Sequence, residues 1–137
     1  QDLGEHFAGT PTKFMGYLRG EELWSAFASA DIFVFPSALE TFGLVLIEAM
    51  AAGLPVVTSR VGGVDDMVQS GVNGYVFNVG DARGMINGVR AILSDPSKRR
   101  VMGRNARTFA ETQSWPAMMD ELITCYDDLI AGRAPSI

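Results

Sequence analysis

Apolar runs and amphipathic stretches alternate along this chain, and the alternation predicts its elements. Lys13 to Leu18 reads as a short strand, near 13–17, followed by a turn. From Glu21 to Ala30, Leu23, Ala26, Phe27 and Ala30 recur at helical spacing, which predicts an amphipathic helix lying on a sheet. Asp31 to Phe35 is a nearly all-apolar strand stopped by Pro36 and Ser37. A polar loop then carries Glu40, and a helix opens near Gly43 with Leu44, Leu46, Ile47, Met50 and Ala51 on its buried side. Gly53 to Pro55 ends it before a second apolar strand around Val56 to Thr58. A short helical stretch is expected from Val64 to Gln69. Ser70 to Gly74 reads as a turn with Gly71 and Gly74 available for positive φ, and Tyr75 to Asn78 as a strand. Asp81 is placed to cap a helix reaching about Leu93, and Asp95-Pro96 to open another towards Thr112. Ser114 to Pro116 begins a last helix to Ile130, and 132–137 is a frayed tail.

Strands near 13–17, 31–35, 55–59 and 75–78, apolar on both faces and separated by helices, imply an α/β fold with an open, mostly parallel sheet. Four strands with extra carboxyl-terminal helices is thin for a doubly wound domain. The expectation is a sheet truncated at its amino-terminal side, and the opening at Gln1 instead of Met agrees with an excised domain. With 137 residues the chain has the size of one domain, and 47% hydrophobic with 20% charged residues is ordinary globular composition. A net charge of -5 argues against nucleic acid as a partner. The most apolar run, around Phe42 to Val57, is broken by Glu48, Gly53 and Pro55, so no bilayer span is expected. The single Cys125 reads as a buried thiol in a helical pattern, and a cytoplasmic setting is inferred.

The chemistry concentrates at one helix start. Glu40 stands in the loop before the helix and Glu48 about one and a half turns inside it, two carboxylates able to accept pairs of ligand hydroxyls. Spacing alone leaves open that both are solvated or that one is a capping partner. Glu48 interrupts an otherwise apolar helix, which places it at a cleft edge or beside a partner. Thr41, Phe42 and Gly43 add backbone donors and a hydroxyl suited to an anion, and a plain cap made by Thr41 or Ser37 explains the same residues. Gly16-Tyr17-Leu18 and Gly62-Gly63 both follow strands, the edge where ligands collect in open α/β sheets, although turn glycines need no ligand. His6 has no base or nucleophile near it in sequence, and Asp65 and Asp66 fit a helix start better than a metal pair. Lys98, Arg99, Arg100, Arg104 and Arg107 make a basic helix face, solvated or in contact with anionic lipid or a partner. Trp24 and Trp115 read as core or domain-seam aromatics.

Taken in order, Phe14 to Leu18 (FMGYL), Gly20 to Leu23 (GEEL), Ala30-Asp31, Pro36-Ser37, Glu40 to Val57 (ETFGLVLIEAMAAGLPVV), Gly62-Gly63 and Gly71 to Gly74 (GVNG) form an ordered set. The chain resembles the carboxyl-terminal, donor-binding domain of the retaining glycosyltransferases built from two facing Rossmann-like domains, the GT-B architecture. The resemblance implies that Glu40 of the Glu-x7-Glu pattern holds hydroxyls of the donor hexose and Glu48 the ribose hydroxyls. It implies that the backbone of Phe42, Gly43 and Leu44 meets the sugar and diphosphate, beside the Thr41 hydroxyl, that Tyr17 and Leu18 border the base, and that no metal or other cofactor is required.

The resemblance also carries departures. The Arg and Lys that stabilise the departing diphosphate in this family have no counterpart here, and neither does the amino-terminal acceptor domain. The expectation is therefore most of the nucleotide-sugar-binding half of a hexosyltransferase, with activity belonging to the parent protein and the isolated chain inactive. His6 to Pro11, Gly20 to Leu23 and Gly62 to Asp66 are similar to the sulfoquinovosyl- and glycolipid-forming branch, which implies a UDP-sugar donor and peripheral membrane contact by the parent. Many relatives have Pro-Glu where this chain has Asp65-Asp66. A non-catalytic nucleotide-binding domain and a sugar-nucleotide epimerase of the same architecture are the alternatives. A truncated sheet is also expected to self-associate through its exposed edge.

Overall fold

The computed structural model describes residues 3–134, apart from the side chains of Leu3, Trp115, Ala117, Met118 and Glu121. The expectations for the Trp115 ring and for the end of the tail lie outside the described residues. The elements in chain order are α1 (Leu3–His6), α2 (Glu21–Ser29), β1 (Phe33–Phe35), α3 (Leu44–Ala51), β2 (Val56–Ser59), α4 (Val64–Met67), β3 (Gly74–Phe77), α5 (Ala82–Leu93), α6 (Pro96–Thr112) and α7 (Trp115–Ile130). The strands form one parallel sheet in the order β1-β2-β3, with Phe33 opposite Val56 and Val57 opposite Tyr75.

Local chemistry explains most boundaries. Asp81 accepts from the Gly84 N–H at 2.8 Å and opens α5. Asp95 accepts from Ser97 and Lys98 at 2.9 and 3.0 Å and opens α6, with Pro96 in the first turn. At the end of α3, Gly53 takes φ 81°, its N–H donates to the Met50 carbonyl, and the Leu54 N–H reaches back to Ala49. This glycine-dependent stop turns the chain directly into β2.

β2 is buried along its whole length and separates two apolar layers. Val56 faces Leu46, Met50, Val64, Val68 and Ala106, so α3, α4 and α6 cover that side. Val57 faces Ile92, Phe77 and Met102 with Met85 and Val89, which places α5 on the other side. Side chains such as Leu46, Met50 and Ile92, all fully buried, each contribute about 1.5–3 kcal/mol through removal from water.

Four expectations need correction. The buried side of α3 is Leu46, Ala49 and Met50, which pack into the core with Val56 and Val64, whereas Leu44 and Ala51 are exposed. Lys13 to Leu18 is not a strand. Phe14, Met15 and Tyr17 are exposed, and a strand exists only through a ladder that no described neighbour offers them. Gly74 is not a positive-φ turn residue; it begins β3, where a Cβ would strike the Val56 carbonyl and its side chain. Cys125 is half-buried, because α7 offers much of its surface to solvent.

Candidate functional site

The carboxyl ends of the three strands share one edge, and the loops leaving β1 and β2 are tied together there. Thr58 donates its hydroxyl to the Phe35 carbonyl at 3.2 Å, and the fully buried Ser59 hydroxyl donates to the Ser37 carbonyl. Ser37 turns its own hydroxyl onto the Leu39 carbonyl at 2.7 Å. These bonds fix where Glu40 begins.

Glu40 folds back on its loop. Its Oε1 accepts from the backbone N–H groups of Thr41 at 2.9 Å, Phe42 at 3.3 Å and Gly43 at 3.1 Å. The bonds from Gly43 and Thr41 hold the carboxyl below the usual carboxylate range, since they favour the charged form. Oε2 accepts no hydrogen bond among the described residues. Gly43 is the residue before α3, at φ 62°, and where its Cβ would stand lies the tip of the Met67 side chain from α4. No side chain caps α3; Thr41 and Ser37 do not take that role. The N–H groups of Leu44 and Val45, in the first turn, have no intrahelical acceptor and point out of the helix start.

Glu48 lies one turn beyond Leu44 on the same face of α3. It is half-buried and has no side-chain hydrogen bond or ion pair among the described residues, so the partnered alternative finds no support there. Phe42 and Leu44 are exposed at 77% and 61%, which leaves an apolar rim around the helix start. Tyr17 is exposed with the Arg19 guanidinium 4.8 Å from its ring centre, and Leu18 is half-buried. No hydrogen bond or ring contact among the described residues ties either to the Glu40 loop. The structure thus brings Glu40, Thr41, Phe42, Gly43, Leu44 and Glu48 together and leaves Tyr17 and Leu18 on a separate segment.

The loop after β2 is closed by an ion pair between Arg60 and Asp65 that sequence reading missed. Opposite charges on either side of the paired glycines were the available signal. The basic face of α6 is divided among separate partners: Lys98 with the Tyr75 hydroxyl, Arg99 with Asp31, and Arg107 with Glu111. A cleft of about 210 Å³ at the same sheet edge is lined by Pro36, Ser37, Phe77, Gly80 and Met85. It lies toward α5, excludes Glu40 and Glu48, and its only carboxylate, Asp81, is already spent on capping. The α3 helix start is where the carboxylates and backbone donors singled out in the sequence come together.

The sequence pattern of the family described as "Glycosyl transferases group 1" matches residues 4–109. The chain belongs to this family. Over 120 residues it is 44% identical to the sulfoquinovosyl transferase SQD2 of Arabidopsis thaliana, covering 85% of this chain and 24% of that protein. It is 36% identical to a GDP-mannose-dependent alpha-mannosyltransferase of Corynebacterium glutamicum, covering 86% of this chain and 29% of that protein. Among solved structures, sucrose-phosphate synthase from Thermosynechococcus elongatus superposes with a TM-score of 0.79 at 34% identity, over 95% of this chain and 33% of that one. HepE of Anabaena, in complex with UDP, gives 0.66 at 29% identity, over 77% of this chain and 29% of that one. The chain spans about a quarter of the length of these curated relatives. Its α/β sheet is that of a GT-B glycosyltransferase domain, and the expected membership in the glycosyltransferases, with a sulfoquinovosyl transferase among the relatives, is confirmed.

Proposed function

We propose that this chain is most of the nucleotide-sugar-binding half of a retaining hexosyltransferase, with a UDP-sugar as donor. The observation that carries the reading is the α3 helix start. A carboxylate favoured in its charged form by three backbone N–H groups stands before it, first-turn N–H groups without intrahelical acceptors open from it, and Glu48, half-buried and without a side-chain partner among the described residues, lies one turn behind. In this reading Glu40 accepts from hydroxyls of the hexose through Oε2. The diphosphate meets the helix start at Leu44, where the dipole and open N–H groups favour negative charge as the leaving group departs. Glu48 accepts from the ribose hydroxyls, and Tyr17 with Leu18 borders the base. The N–H groups of Phe42 and Gly43 serve by orienting Glu40, and they reach the donor only by exchanging that partner. No step calls for a metal.

UDP is favoured because HepE is solved with UDP and with UDP-glucose, and because of the 44% identity to a sulfoquinovosyl transferase. The Arg and Lys that complete the leaving-group site, and the acceptor domain, are assigned to other parts of the protein. The chain alone is then inactive. The proposal places the enzyme in the cytoplasm with peripheral membrane contact; no helix among the described residues is long and apolar enough to cross a membrane.

Calorimetry on the whole protein with UDP, GDP and ADP tests the reading. Binding of UDP in preference to the other two is expected. Binding of none of the three overturns the donor-site assignment, and preference for GDP overturns the choice of base.

A further inference from the structure

The chain leaves β2 at Arg60, whose N–H donates to the Phe77 carbonyl at 2.7 Å and so is pinned to the end of β3. Five residues later Asp65, in the first turn of α4, meets the Arg60 guanidinium, Nη1 to Oδ2. The pair closes residues 60–65 into a ring with Gly62 near its middle. Gly62 sits at φ 54°, and a Cβ on it would lie 2.6 Å from the Glu40 carbonyl oxygen and 3.8 Å from that of Thr41. The ring therefore rests on the backbone of the residue whose carboxylate gathers the N–H groups before α3. Both side chains of the pair are about half exposed, at 54% and 53%. An ion pair this open adds little to global stability, so its effect falls on the short loop it closes.

We propose that Arg60 and Asp65 are a positioning pair: by closing the loop around Gly62 they brace the Glu40 backbone and hold its carboxylate in the hexose-binding setting. The inference rests on the donor-site reading above. Opening the ring lets the Glu40 loop relax, which weakens hexose recognition and leaves the Glu48 contacts to the nucleotide untouched.

The test uses the whole protein and two probes, UDP and UDP-glucose, and reads the hexose contribution as the ratio of their affinities. Arg60→Glu and Asp65→Lys each lower that ratio roughly two- to five-fold at low salt, as expected for one exposed charge pair. UDP affinity itself stays unchanged, and the charge-swapped double variant restores the ratio. Equal losses for UDP and UDP-glucose overturn the proposal, because Arg60 would then meet the phosphates itself; so does an unchanged ratio, or a swap that restores nothing. Glu40→Ala is the control. If it lowers the ratio and the ring variants do not, the positioning role falls and the donor site stands. If it leaves the ratio unchanged, or if UDP does not bind, the donor-site reading falls and takes this inference with it.

Discussion

Glu40 spends one carboxylate oxygen on three N–H groups of its own loop and keeps the other open. This economy explains how a half-exposed acid holds one orientation. The two carboxylates were visible in the sequence as an eight-residue interval across a helix start, because spacing and helix period survive without tertiary knowledge. The inward fold of Glu40 was not visible, since it depends on loop dihedrals set by the Ser59 and Ser37 bonds. Gly74 was misread for a related reason: glycine signals a turn locally, whereas here it answers to the Val56 carbonyl on a neighbouring strand. Gly74→Ala is accordingly expected to destabilise the domain by roughly 1–3 kcal/mol through overpacking, measured by denaturant unfolding. No change in midpoint would show that the β2-β3 contact is looser than described.

At the level of elements, helices were the legible part. Asp81 and Asp95 announced α5 and α6 because a cap acts within three residues. The stretch at 13–17 was not legible as a non-strand, since β-pattern states only that a segment fits a sheet if one is offered. Asp95→Ala is expected to lower the thermal midpoint by a few degrees, a shift that scanning calorimetry resolves. The Asp95 carboxyl lies below its usual range because of the bonds from Lys98 and Ser97, as Glu40 does because of Gly43 and Thr41. Depressed folded values make both groups stabilising above the ordinary carboxylate range, with that stability lost as pH falls through them. A melting series from pH 7 to pH 3 should therefore be flat above about pH 5 and fall below about pH 4. Asp95→Asn should shallow the fall, and an unaltered profile in that variant would remove Asp95 from the explanation.

For the whole molecule, the sheet that positions the site leaves apolar surface uncovered. Val34 on β1 is partly exposed, as are Met119, Leu122, Ile123, Tyr126, Leu129 and Ile130 on α7. The isolated chain is expected to self-associate through such surface, and light scattering that shows a monomer over a hundredfold concentration range would contradict this. On the proposed reading this chain offers a donor two carboxylates and a helix start, and the remaining groups for transfer belong to other parts of the protein. The account's central claim is the division of labour along α3, with hexose at Glu40 and ribose at Glu48. Calorimetric titration of UDP into the whole protein carrying Glu48→Ala or Glu40→Ala tests it most directly. The account predicts about tenfold or greater weakening for Glu48→Ala, as for loss of a charged hydrogen-bond partner, and near-unchanged UDP binding with impaired hexose transfer for Glu40→Ala. Equal losses of UDP affinity in the two variants would contradict it.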